Sequence, residues 1–115
     1  MLIRYKKSFE KIAMGLMSFM PTEKDLKKLQ STMKDYEEND SWHLFIWKQD
    51  DDAIGIIGME LTDELLTIQH ISVNPSHRQL GIGKQMVCAL REIYPNHAVK
   101  ATEHTAAFID KCDLE

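Results

Sequence analysis

The segment that most constrains the fold runs from an apolar stretch, Leu65–Val73, through a glycine-spaced turn into an amphipathic helix. Residues 77–84 of this turn have the sequence His-Arg-Gln-Leu-Gly-Ile-Gly-Lys. Glycines at 81 and 83 leave the backbone open to close approach, and the first turn of a helix has N–H groups without intrahelical partners. With the helix dipole added, such a terminus binds phosphate or pyrophosphate through backbone groups. The segment therefore predicts a buried strand, an anion-binding turn and a helix in direct succession.

Two other phosphate-binding loops fit this segment less well. A P-loop has the pattern G-x-x-x-x-G-K-(S/T), whereas Gly81 and Gly83 are separated by one residue and Gln85 follows Lys84. The dinucleotide fingerprint G-x-G-x-x-G requires glycine where Met86 stands, and an acidic residue at the end of the next strand. An ordinary strand-to-helix turn, with glycine used for close packing, is the alternative to a ligand site.

Length and composition predict a single domain over residues 1–115. Hydrophobic residues at 43% and charged residues at 28% are typical of a soluble globular protein. The net charge of −4, with acidic residues spread along the chain, does not favour nucleic-acid binding. No apolar run approaches the ~18 residues of a membrane helix, and Met1–Lys7 is not followed by the apolar region of a secretory signal. Cys88 and Cys112 lack C-x-x-C spacing, which favours free thiols and a cytoplasmic location.

The N-terminal part of the chain predicts one strand and two helices. Leu2–Lys6 is a short strand, and apolar residues spaced three and four apart over residues 9–20 predict a helix that Ser8 can cap. Pro21 interrupts this helix. Thr22 with Asp25 resembles a capping box at the start of a second helix. The apolar face of that second helix is formed by Leu26, Leu29, Met33 and Tyr36.

The remainder predicts mainly strands, with one helix after the glycine turn and one at the end. The predicted strands are Trp42–Lys48, Ala53–Leu61, Leu65–Val73 and Ala98–Ala101. The helix after the turn points Met86, Ala89, Leu90, Ile93 and Tyr94 inward and stops before Pro95. A last short helix covers His104–Cys112. The element order is therefore β-α-α-β-β-β-α-β-α.

The glycine turn resembles motif A of the GNAT acyltransferases, (Q/R)-x-x-G-x-(G/A). Arg78, Gly81 and Gly83 occupy its three defining positions, and the lead-in Ile71–Pro75 is similar to the strand that precedes it. The element order also resembles that of the family. The resemblance implies an α/β (α+β) fold with a mixed, mostly antiparallel sheet flanked by helices. It further implies transfer of an acetyl group from acetyl-CoA to an amine on a small molecule or a protein.

The whole chain resembles the RibT group, small GNAT-like proteins encoded with riboflavin-biosynthesis enzymes. Leu2–Leu16 and Ile71–Arg78 carry this match, which implies a link to riboflavin metabolism and leaves the acceptor open. Family members usually have two further strands after the last helix, whereas this chain ends at Glu115. The fold is therefore expected to be truncated there, and the sheet edge left beside the acceptor site predicts a homodimer.

The resemblance implies which residues hold acetyl-CoA. Backbone groups of Ile71, Ser72 and Val73 would pair with the pantetheine arm, and the turn would hold the pyrophosphate. Core packing of the Ile71 and Val73 side chains is compatible with this role, because the ligand bonds use backbone. The implied cofactor-binding residues are Ile71, Ser72, Val73, Arg78, Gln79, Leu80, Gly81, Ile82, Gly83, Lys84 and Phe108.

Proton transfer is harder to assign. Family members often carry N-x-x-A-x-x-F-Y on the last helix, whose tyrosine protonates the CoA thiolate. In residues 102–109, Phe108 matches, but Ile109 replaces the tyrosine and Thr102 the asparagine. This departure predicts weak acid catalysis, and a CoA-binding sensor or interaction module without turnover is the alternative to an enzyme.

His70 is the strongest candidate for a general base, because an imidazole titrates near neutral pH. A structural hydrogen-bonding role is the alternative for this histidine. Glu103 and His104, near the expected position of the cofactor thiol, are further catalytic candidates. Cys112 lacks an accompanying His–Asp pair, which favours a small buried thiol over a nucleophile. No histidine has the spacing of a metal ligand, so no metal site is predicted.

Overall fold

The computed structural model describes residues 1–77, 81–103 and 105–106. The strands in this part of the chain are β1 (Leu2–Arg4), β2 (Trp42–Gln49), β3 (Asp52–Leu61), β4 (Leu65–Val73) and β5 (Ala98–Ala101). The helices are α1 (Glu10–Met17), α2 (Leu26–Glu38) and α3 (Ile82–Ile93), and short 3₁₀ turns cover Lys7–Phe9, Pro21–Glu23 and Pro75–His77. None of the helices described is long and apolar enough to cross a membrane.

The described strands form one sheet in the order β1-β2-β3-β4-β5. Neighbouring strands from β1 to β4 are antiparallel, and β5 pairs parallel with β4 after the α3 crossover. The predicted mixed, mostly antiparallel sheet flanked by helices is confirmed.

Two hydrophobic clusters cover the two faces of the sheet. Side chains alternate between faces along a strand, so Ile56 joins one cluster and Ile57 the other. One cluster packs α1 and α2 against the sheet, and the other packs α3 through Met86 and Leu90. The sheet is therefore buried on both sides.

The N-terminal elements differ from the predicted ones. The first strand ends at Arg4 instead of Lys6, and α1 ends at Met17, three residues before Met20. The capping box is wrong: the N-cap residue Asp25 makes no side-chain cap bond, and Thr22 lies in a separate 3₁₀ turn. This turn carries Glu23 into the interior, so a tertiary contact overrides the local capping pattern.

The end of α3 also differs. Ile93, predicted to face inward, is 47% exposed, because the helix ends there and Tyr94 leaves the helical path as the C-cap residue. The predicted last helix, His104–Cys112, lies largely outside the described residues.

Candidate active site

After β4 ends at Val73, a short 3₁₀ turn covers Pro75–His77, and α3 begins at Ile82. Asn74 N–H donates to the Ile54 carbonyl at 2.8 Å, which holds the end of β4 against β3. Gly81 is the N-cap residue of α3 with φ of +75°, and its carbonyl accepts the Gln85 N–H at 3.0 Å. A Cβ at Gly81 would meet nothing within 4 Å, so the backbone conformation, and not crowding, favours glycine. The open space beside a helix N-terminus is what an anionic group requires.

The residues expected to hold the cofactor surround this turn where they are described. Ile71, Ser72 and Val73 are buried at the end of β4, and Ile82 and Gly83 are buried in the first turn of α3. Among the described residues, the buried Ser72 Oγ has no hydrogen-bond partner. Such an orphaned hydroxyl is compatible with a polar ligand nearby. Arg78, Gln79, Leu80, His104 and Phe108 lie outside the described residues, and Lys84 is partly exposed in α3.

A β-bulge interrupts β4 at Gln69. Gly58 of β3 pairs with His70, and the next residue, Met59, pairs with Ile68, so Gln69 is the extra residue. Without the bulge, Ile68 and His70 would share one face of the sheet. With it, Ile68 joins the α3 cluster, whereas the His70 side chain contacts α2.

The pairing of β4 with β5 stops at the same place. Its register ends with Ile68 opposite Ala101, and the Thr102 N–H and Thr105 hydroxyl then both donate to the Ile68 carbonyl, at 3.3 and 2.8 Å. Among the described residues, the pairing of β4 with β5 therefore ends at Ile68, and Ile71–Val73 at the end of β4 lie outside it.

His70 lies in a buried hydrogen-bond network that joins three parts of the fold. Its Nε2 is 2.9 Å from Glu23 Oε1, and its Nδ1 is 2.6 Å from the Tyr36 hydroxyl. Thr32 donates its hydroxyl to Glu23 Oε2 at 3.0 Å. Glu23 is 1% exposed, Tyr36 7% and His70 8%. Both ring nitrogens of His70 are thus within hydrogen-bond distance of protein groups.

The direction of these bonds follows from the Glu23 carboxylate, which can only accept, so His70 Nε2–H donates to it. In the neutral imidazole Nδ1 is then an acceptor, and the Tyr36 hydroxyl donates to it. Burial keeps this phenol neutral by raising the pKa of Tyr36 well above its ordinary value, and the nearby Glu23 and Asp35 carboxylates raise it further. This arrangement joins a carboxylate, an imidazole and a hydroxyl in series, as in the triads that move protons in hydrolases.

Gly58 makes room for this network. A Cβ at Gly58 would lie 2.2 Å from the Tyr36 hydroxyl oxygen and 2.5 Å from Cζ. The Tyr36 ring also makes edge contacts with Trp42 at 5.1 Å and with His70 at 5.5 Å between centroids. Because Gly58 of β3 has no side chain, Tyr36 of α2 can reach His70 of β4.

Tyr36 also lines a cavity of about 200 Å³ between α2 and the edge of the sheet. Glu37 in its wall accepts hydrogen bonds from Tyr5 and Lys7. Although burial acts in the opposite direction, these bonds hold the pKa of Glu37 below its ordinary value. Burial, reinforced by the Arg4 charge, lowers the pKa of His43 in the same wall.

Of the three catalytic candidates, only His70 is seen in the buried hydrogen-bond network among the described residues. His70 contacts Glu23 and Tyr36, whereas Glu103 is exposed in the turn after β5 and His104 is not described. Sequence reasoning missed Glu23 altogether and assigned Tyr36 only to the apolar face of a helix. A polar residue within a charged stretch carries no signal of burial. The described residues hold no cluster of potential metal ligands.

Comparisons with known proteins agree on one family. The model of the acetyltransferase (GNAT) family matches residues 9–111. The chain is 63% identical over 115 residues to an uncharacterized N-acetyltransferase encoded in the lysA 3′ region of Bacillus methanolicus, covering 99% of this chain and 96% of the relative.

Solved structures extend the agreement to the fold. The aminoglycoside N-acetyltransferase AAC(6′)-Iy in complex with CoA has a TM-score of 0.76 at 18% identity, with 96% of this chain and 81% of that chain covered. A possible acetyltransferase from Clostridium difficile 630 has a TM-score of 0.73 at 11% identity, with 98% and 88% covered.

Proposed function

The chain belongs to the GNAT acetyltransferase family, and on this premise we propose that acetyl-CoA binds at the glycine turn and donates its acetyl group to a primary amine. The observation that carries the proposal is the bulge at Gln69, where the described β4–β5 pairing ends and leaves the last residues of β4, before the turn into α3, outside it. An extended ligand can add backbone hydrogen bonds at such an opening, while its phosphates lie at the helix terminus.

The residues of the chain have separate tasks in this reaction. Acetyl-CoA supplies the activated thioester. Backbone groups of Ile71, Ser72 and Val73 align the pantetheine arm, and the turn from Arg78 to Lys84 holds the pyrophosphate, with Phe108 beside the ligand. Fixed placement of two reactants removes much of the entropic barrier to their reaction.

His70 is assigned as the base that finally accepts the proton lost by the amine. Its support is the hydrogen-bonded Glu23, whose carboxylate stabilises an imidazolium. Glu103 and His104 remain secondary candidates on sequence position alone.

The acceptor is an amine of a small molecule or a protein. AAC(6′)-Iy was solved with a bisubstrate analogue, CoA-S-monomethyl-acetylneamine, which shows that the shared fold accommodates a small-molecule amine in that protein. Resemblance to the RibT group adds amines of the riboflavin pathway as candidates. Cysteine usage supports a cytoplasmic site of action.

A matched pair of substitutions at Gly81 tests cofactor binding. Asp and Asn are nearly isosteric and both tolerate positive φ, so they differ mainly in charge. Gly81→Asp should abolish CoA binding in calorimetric titration because its carboxylate repels the pyrophosphate, whereas Gly81→Asn should retain most of it. Equal affinity in both variants would contradict pyrophosphate binding at this turn.

Turnover is tested separately by CoA thiol release from acetyl-CoA with a panel of amines that includes riboflavin-pathway intermediates. Amine-dependent release supports the transferase. CoA binding without release from any amine favours the non-catalytic sensor or interaction module.

We also propose a homodimer. In the described sheet, β1 and β5 are the outer strands, and an unpaired strand edge favours association with a second copy. Sedimentation equilibrium checks this proposal, and a monomer at the highest soluble concentration would exclude it.

A further inference from the structure

The buried hydrogen-bond network around His70 stabilises the fold less than apolar side chains would, so its presence points to a function. Buried polar groups stabilise a fold less than apolar packing of the same volume, and a buried carboxylate requires full hydrogen bonding. Glu23 meets this requirement through His70 Nε2–H and the Thr32 hydroxyl, with Lys28 Nζ at 3.9 Å. Titratable groups that are buried and placed beside a specific charged partner are candidates for a functional site.

The hydrogen-bond inventory shows which atom can accept a further proton donor. Nε2–H of His70 donates to Glu23, and Nδ1 accepts from the Tyr36 hydroxyl. A phenolic oxygen that donates one hydrogen bond still accepts another. Gln69 Oε1, at 3.5 Å from the Tyr36 hydroxyl, is itself an acceptor. The Tyr36 oxygen is thus open to an N–H or O–H donor.

We propose that the Tyr36 hydroxyl is the proton-transfer group of the acetyl transfer and that Glu23 is a positioning residue which holds His70 ready to receive the proton. This inference rests on the proposed function and deepens it, because a direct proton transfer to His70 would require the displacement of Tyr36. Tyr36 is among the residues that line the cavity between α2 and the edge of the sheet.

The proton balance of the reaction is complete with these groups. The lone pair of a neutral amine bonds to the thioester carbonyl carbon, and the C–S bond breaks to release a thiolate. The amine nitrogen then loses one proton to the Tyr36 oxygen, directly or through one water, as the Tyr36 proton moves to His70 Nδ1. The imidazolium lies beside the Glu23 carboxylate until it returns a proton to solvent, and the thiolate takes one proton from solvent.

The charged groups that act on the network come from two segments. Glu23 lies in the turn before α2, and Lys28 and Asp35 lie in α2 itself, whereas β3 and β4 contribute the uncharged Gly58 and Gln69. Glu23→Gln removes the negative charge next to His70 at almost constant volume. The weaker base should lower the plateau of kcat/KM and move the acid limb of its pH profile to lower pH.

Tyr36→Phe deletes the proposed transfer group and keeps the ring over Gly58. It should lower kcat by ~10²-fold with CoA affinity unchanged, since general acid–base groups contribute about 10²–10⁴-fold. Tyr94→Phe and Glu38→Gln are matched controls outside the network and should leave both kcat and the pH profile unchanged. ¹⁵N NMR of labelled histidine in the wild-type protein should show His70 as the Nε2–H tautomer.

The outcomes separate the two proposals. A wild-type protein that releases no thiol with any amine overturns the proposed transferase. Thiol release with an unchanged pH profile and kcat in both Glu23→Gln and Tyr36→Phe overturns the relay alone. An Nδ1–H tautomer of His70 also overturns the relay, and this measurement does not depend on the variants folding.

Discussion

At the scale of single residues, Gly58 decides whether Tyr36 reaches His70. The hydroxyl of Tyr36 occupies the volume that any other side chain at position 58 would need. In contrast, Gly15 lies on α1 with nothing within 4 Å of a Cβ. Two glycines of the same chain therefore have opposite sensitivities to the same added methyl group.

Gly58→Ala should destabilise the protein by about 1–3 kcal/mol, because overpacking forces the Tyr36 ring and the β3 backbone apart. Gly15→Ala should stabilise it by about 0.5–1 kcal/mol, because alanine restricts the unfolded chain and favours helix. Urea unfolding of both variants measures the two effects. In a Tyr36→Ala background the cost of Gly58→Ala should shrink, and an undiminished cost would contradict the clash.

At the scale of elements, the bulge in β4 coincides with the end of the described β4–β5 ladder. Around the bulge, His70 faces α2 while Ile68 and Ile71 both face α3. A regular strand with the same residues, less Gln69, would still place Ile68, His70 and Ile71 on their present faces. The bulge is therefore needed for the opening and not for the core.

Deletion of Gln69 should leave a folded protein that has lost CoA binding. The register with β3 becomes continuous from Gly58–His70 to Met59–Ile68, and the pairing with β5 can extend past Ile68. Circular dichroism tests whether the deletion variant is folded, and calorimetric titration measures its CoA binding. Gln69→Ala, which keeps the bulge, is the control and should bind normally. Full affinity in the deletion variant would contradict a ligand site at the opening.

A second prediction at this scale concerns Glu37, which ties the end of α2 to Tyr5 and Lys7. The pKa of Glu37 is lower in the folded than in the unfolded protein, so its charge stabilises the folded state at pH values above the unfolded-state pKa. This stabilisation is lost as the pH falls through the folded-state pKa. Glu37→Gln should therefore lower the free energy of unfolding by up to about 1 kcal/mol at pH 7. The difference from the wild type should vanish below the folded-state pKa of Glu37.

Denaturant unfolding at neutral pH and at pH values below the ordinary glutamate pKa of 4.5 makes this comparison. Glu38→Gln, an exposed neighbour on α2, is the control and should show no such pH dependence. A stability difference that persists in acid would rule out the charge of Glu37 as its cause.

At the scale of the whole molecule, the sheet separates two environments. One face is covered by α3, which begins at the glycine turn, and the other, covered by α1 and α2, contains the Glu23–His70–Tyr36 network. Ile68 and His70, on either side of the bulge, face these two environments. The ligand proposed for this site would contact elements from both halves of the fold and should stabilise the molecule as a unit.

CoA at 100 times its dissociation constant should stabilise the wild-type protein by about 2.7 kcal/mol, because it binds the folded state alone. Thermal unfolding with and without CoA measures this as a rise in Tm. Gly81→Asp should show no rise and Gly81→Asn a rise close to that of the wild type. An equal rise in both variants would place the ligand elsewhere.

The sequence by itself determined the features that depend on neighbours along the chain. The strand, glycine turn and helix from Leu65 to Ile93 follow from local periodicity and from the positive φ that glycine allows, and they identify the family. The bulge also left a signal, since the apolar alternation Leu66–Ile68 changes phase before Ile71–Val73.

Only the tertiary structure decided what surrounds His70. Glu23 and Tyr36 lie 47 and 34 residues from it along the chain, and neither belongs to a motif. Their meeting depends on the packing of α2 over Gly58 and on a 3₁₀ turn that buries a glutamate in place of a capping box. Whether a residue is buried, and which groups it bonds to, depends on how segments distant in the sequence pack together. Local sequence patterns do not contain this information.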